Sequence, residues 1–117
     1  MIAMTYRIDQ AASELMIEPE ELIAILDCFF EETTEMLSYC DNAVISGNFS
    51  ALNKMFHALK GSSANFRLHR LRDLAIQLEN GAGSADRELV ATLLQSFRRE
   101  LADSRELVDL YRSGKKI

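Results

Sequence analysis

PEELIAILDCFFEETTEMLSYCDNAVISGN, residues 19–48, decides the architecture open to this chain. Pro19 suits the first turn of a helix, where its missing N–H costs nothing. Glu18, Glu20 and Glu21 sit at the end where the helix dipole favours negative charge. Beyond them Leu22, Ile25, Leu26, Phe29, Phe30, Met36, Leu37, Cys40 and Val44 recur at steps of three and four. That spacing predicts one long helix with one buried stripe. Ser46-Gly47-Asn48 ends it, and Asn48 can cap the helix that follows.

The same pattern extends in both directions. Residues 5–15 predict a short leading helix, and residues 49–66 a third. Leu68, Leu71, Leu74, Ala75 and Leu78 mark a further helix over about 68–80. NGAGS, residues 80–84, reads as the clearest break, and the last helix is expected over about 85–112. The terminal SGKKI should fray. One proline, five glycines and few β-branched residues favour an all-α chain. Four substantial amphipathic helices joined by short loops bury their stripes best as an antiparallel four-helix bundle with a short additional N-terminal helix. The chain is long enough for one core, so a single domain over residues 1–117 is expected, ordered from about 5 to 112.

Composition narrows the function. The formal charge of −5 argues against nucleic acid as a partner. No apolar run reaches about 18 residues and no signal-peptide pattern opens the chain, so neither a membrane span nor secretion is predicted. Cys28 and Cys40 lie roughly 18 Å apart along one helix, too far to bridge. They read as two buried thiols in a reducing cytoplasm. Charge is also segregated. No Lys or Arg occurs between Ile8 and Asn53, whereas Lys54, Lys60, Arg67, Arg70 and Arg72 follow with no acid among them. A positive field over that segment is predicted.

The basic segment contains FHALKGSSANF, residues 56–66. At roughly 100° per residue, Leu52, Met55, Phe56, Leu59, Ser62, Ser63 and Phe66 fall on the side opposite His57. Asn53, Lys54, Lys60, Gly61 and Ala64 share its side. An exposed imidazole is predicted, not a core one. A metal site would need several converging ligands, and His69, the other histidine, falls roughly 120° away. A catalytic triad would need a group to orient the ring, and no acid lies near in sequence. Gly61 in mid-helix costs about 1 kcal/mol relative to alanine. It clears space one turn from His57, and Lys60 brings an ammonium to the same region. This combination suits a histidine that receives an anionic group, of which phosphoryl is the foremost candidate.

His57-x-x-Lys60-Gly61-Ser62, with Leu59 and Phe66 apolar, resembles the signature of histidine-containing phosphotransfer (HPt) domains, the relay modules of two-component phosphorelays. IDQAASEL, ELIAILDCFFEETTEML, SGNFSAL and LRDLAIQLEN resemble the family's other segments, so the resemblance covers nearly the whole chain. It implies a four-helix bundle and a phosphoryl carrier, not a self-sufficient kinase. His57 would take the phosphoryl group from an aspartate of one receiver domain and pass it to another. Lys60 would stabilise the phosphate and Gly61 would give the receiver access. No cofactor is implied in this chain, since magnesium would be held by the partner receiver. The partners would be receivers of a hybrid kinase or response regulator, met by a cytoplasmic monomer. The family usually carries glycine ten residues after the histidine. Arg67 stands there, and arginine is not expected to take the left-handed conformation that glycine adopts cheaply.

For the docking surface, Asn53, Lys54, Ala64 and Arg67 lie near the histidine, and Met16, Ile17 and Ile23 offer apolar candidates. Ordinary core packing accounts for those three equally well. Two other readings stay open: a helical adaptor that docks a receiver or kinase without carrying phosphate, and a hydrolase using His57 as general base.

Overall fold

The computed structural model describes residues 6–114. Five helices follow in order: α1 (Ile8–Leu15), α2 (Pro19–Ser46), α3 (Phe49–Asn65), α4 (His69–Gly83) and α5 (Arg87–Arg112). Helix α1 starts at Ile8, three residues after its expected beginning. Residue 5 and most of the SGKKI tail expected to fray lie outside the described residues.

Neighbouring long helices run antiparallel, as the pairings show. Cys40 Sγ lies 4.0 Å from Met55 Sδ, while the earlier Phe29 meets the later Phe66 edge-to-face with ring centroids 5.6 Å apart. Asp41 pairs with Arg98 and Asp27 with Arg112, so α5 runs back along α2. Arg70 on α4 pairs with Glu100 on α5. The ring of four therefore closes, and its long extent of 43 Å matches the length of α2 and α5 at about 1.5 Å per residue. Phe30, Phe56, Phe97, Leu22, Leu52 and Leu78 are fully buried along its axis. Ser63 Oγ, also buried, has no hydrogen-bond partner among the described residues.

Several local expectations are corrected. NGAGS does not break the chain: α4 continues through Gly83. Gly81 is buried, and a Cβ there would meet Val90 Cγ2 at 3.2 Å, so this glycine serves close packing of α4 on α5. The turn comes at Ala85, in the left-handed region at φ 53°, and Asp86 then caps α5 by accepting from Leu89 N–H. Arg67 does take the left-handed conformation, at φ 63°. Leu68 N–H bonds to Ser63 O and Arg67 N–H to Ala64 O, which closes α3 as a glycine would. The guanidinium holds the turn by donating to Glu14 Oε1 at 3.0 Å and to Asn65 O at 2.9 Å. Of the two thiols only Cys40 is buried, and burial pushes it up to about 11. Cys28 is exposed, because the α2 stripe passes through Leu26, Phe29 and Phe30 and leaves position 28 on the outer face.

Candidate functional site

Asn48 Oδ1 accepts from Ala51 N–H at 3.2 Å and starts α3 in the register that the stripe requires. Leu52, Phe56 and Leu59 fill the core, which turns His57 outward with its side chain 67% exposed. Gly61 lies one turn further on. A Cβ built there would touch nothing within 4 Å. Neither packing nor backbone conformation therefore demands glycine, and what the residue supplies is open space beside the imidazole.

Helix α4 contributes the group that was not foreseen. Glu79 directs one carboxylate oxygen to each of two α3 side chains: Oε2 lies 2.7 Å from His57 Nδ1 and Oε1 lies 2.8 Å from Lys60 Nζ. Asn53 Nδ2 donates to the backbone oxygen of Glu79 at 3.0 Å and fixes that turn of α4 against α3. The hydrogen bond from Lys60, and then that from His57, hold the Glu79 carboxyl below the ordinary carboxylate range. An ionised carboxylate can only accept, so Nδ1 carries the hydrogen, and the tautomer this selects has its lone pair at Nε2. The sequence had offered no acid near His57 and no group to orient its ring. Glu79 corrects both points from 22 residues away.

The other expected site residues lie on α2 and α3 and in the turns that follow α1 and α3. Lys54 is exposed and Ala64 half-buried on α3. Arg67 is turned back onto Glu14. Met16 ends α1 at φ 59° and is 90% exposed. Ile17 and Ile23 are half-buried and pack on the core. Arg67 ties Glu14 of α1 to the end of α3, on the order of 12 Å along that axis from His57. The predicted positive field is largely neutralised as well. Lys60, Arg67, Arg70 and Arg72 pair with Glu79, Glu14, Glu100 and Asp73. Exposed apolar residues that were not singled out include Tyr39 on α2 and Ile76 on α4. Ile76 stands three residues before Glu79 and so shares its face. Among the described residues no helix is long and apolar enough to cross a membrane.

A family model described as Hpt domain matches residues 24–110, which include His57, Lys60, Gly61 and Glu79. The chain belongs to the Hpt domain family. Comparison with curated proteins and with solved structures returned no match. At the family level, Hpt domains carry out histidine phosphotransfer in phosphorelays and interact with receiver domains. The all-helical bundle agrees with that membership. The matched span begins within α2, so α1 of this Hpt domain lies outside it.

Proposed function

We propose that this Hpt domain accepts a phosphoryl group on Nε2 of His57 from a receiver aspartate and returns it to the aspartate of another receiver. One observation carries the reading. A single carboxylate bridges His57 and Lys60 at 2.7 and 2.8 Å through Nδ1 of the histidine, and the ring is otherwise exposed.

Phosphoryl transfer asks for alignment and charge stabilisation more than covalent machinery. Glu79 holds the ring by Nδ1–H. The Nε2 lone pair attacks phosphorus in line as the bond to the aspartyl oxygen breaks, and the electron pair leaves on that carboxylate. Positive charge gained by the ring is offset by Glu79. Lys60, already at the site, turns to the phosphoryl oxygens. The receiver reaches Nε2 over Gly61 and Ala64, with Ile76 as an apolar rim. The metal ion of the reaction belongs to the receiver, and the Hpt domain acts as carrier.

The test is incubation with a phosphorylated receiver. His57 is expected to gain an acid-labile, base-stable phosphate that His57→Gln abolishes. Label that persists in His57→Gln, or none from any receiver of the host, refutes the reading. Gly61 adds a second expected outcome. Gly61→Ala raises stability by roughly 0.5–1 kcal/mol, because alanine is the better helix former and its Cβ meets nothing. The same methyl group narrows the approach and slows transfer from the receiver. Thermal unfolding and single-turnover transfer should move in opposite directions.

A further inference from the structure

We propose that His57 also takes phosphoryl groups directly from small donors of the phosphoramidate class, with no receiver present. The inference rests on reading His57 as a phosphoryl acceptor, but on no protein partner.

The two histidines of the chain supply the argument, because the fold gives them opposite tautomers. Both are exposed. His57 Nδ1 faces the Glu79 carboxylate at 2.7 Å, so Nδ1 is the donor and Nε2 keeps a free lone pair. His69 Nδ1 lies 3.2 Å from Arg72 Nη1. A guanidinium can only donate, so Nδ1 of His69 accepts, its one lone pair is engaged, and the ring hydrogen sits on Nε2. Of the two histidines, His57 is therefore the one with an unengaged ring lone pair among the described residues. His57 also has an ammonium nearby, since Lys60 Nζ binds the other oxygen of the same carboxylate at 2.8 Å. The open space at Gly61 admits a donor of any small size.

In the step itself, the Nε2 lone pair attacks the phosphorus of a phosphoramidate protonated on nitrogen. The Nε2–P bond forms as the P–N bond breaks, and the electron pair leaves with nitrogen as ammonia. The ring becomes a phosphoimidazolium that keeps its hydrogen on Nδ1, still donated to Glu79, and Lys60 moves to the phosphoryl oxygens. Nothing is oxidised or reduced.

The experiment treats the full chain with potassium phosphoramidate near neutral pH and follows intact mass and alkaline peptide maps. Native chain, His69→Gln and Glu79→Gln are compared with chain unfolded in urea. His57 is expected to label about tenfold or more faster than His69, because preorganised charge and a fixed ring act only there. The labelling rate of His57 should be unchanged in His69→Gln, and its preference over His69 should shrink about tenfold in Glu79→Gln and vanish in urea, where both tautomers are free. Equal labelling of the two histidines in the native chain, or an undiminished preference in urea, overturns the proposal. Phosphoramidate labelling without receiver labelling sinks only the relay reading. The reverse result sinks only this inference.

Discussion

Glu79→Gln is expected to lower the initial rate of transfer from a phosphorylated receiver to His57 by roughly 10- to 100-fold, the worth of a hydrogen bond to a charged group. Glutamine matches glutamate in shape, so the fold should not change. Its amide, however, has one accepting and one donating end. If the oxygen faces Nδ1–H of His57, the NH2 confronts the ammonium of Lys60, a donor against a donor. If the amide flips, the clash moves to Nδ1. In the first pose the bond to Lys60 is lost; in the second the amide donates to Nδ1, the ring hydrogen moves to Nε2, and the attacking lone pair is blocked. Single-turnover transfer measures the loss, and circular dichroism checks the fold. A rate within twofold of wild type would mean that something other than Glu79 sets the imidazole.

The pH dependence follows from the same carboxylate. Its pKa in the folded chain is depressed by Lys60 and then by His57. Its contribution is therefore fully present above the ordinary carboxylate pKa of about 4.3 and is lost as pH falls through the lower, folded value. The ratio of wild-type to Glu79→Gln rates should stay level from neutral pH down to about pH 5 and converge only in more acid solution.

Phe56→Ala is expected to cost about 3–5 kcal/mol of stability, against a total of roughly 5–15 kcal/mol for a domain of this kind. Phe56 is fully buried where α3 meets the centre of the bundle, and truncation leaves a cavity that helices pinned by Asp41–Arg98 and Asp27–Arg112 cannot readily close. Its neighbour His57 behaves oppositely. His57→Gln alters an exposed side chain, should move stability by no more than about 0.5 kcal/mol, and removes all transfer. Urea unfolding of the two variants separates the roles. A Phe56→Ala chain as stable as wild type would contradict the packing described here, and a His57→Gln chain that unfolds early would give the imidazole a structural part.

The bundle was legible because its information is local and periodic. The stripe from Leu22 to Val44 repeats every three or four residues, and so do those of α3, α4 and α5. A stripe of that period has few ways to leave water other than packing beside its like. The outward aim of His57 came from the same arithmetic applied to Leu52, Phe56 and Leu59. Local reading failed where a residue type answers to a neighbour instead of to its own backbone preference. Gly81 resembles a helix breaker, but it is there to let Val90 and Leu89 come close. Arg67 resembles a poor choice for a left-handed turn, but Glu14 and Asn65 O hold it in place.

The sequence by itself determined which face of α3 looks outward and which residues travel with His57 along that face, because rotation per residue is a property of the backbone. Only the tertiary structure decided that Glu79 meets both His57 and Lys60, and that Arg67 and Arg70 find Glu14 and Glu100. Those meetings depend on the rotation and axial register of α4, α5 and α1 against their neighbours. Register is set by the summed fit of many buried side chains, and no single stretch of chain encodes it.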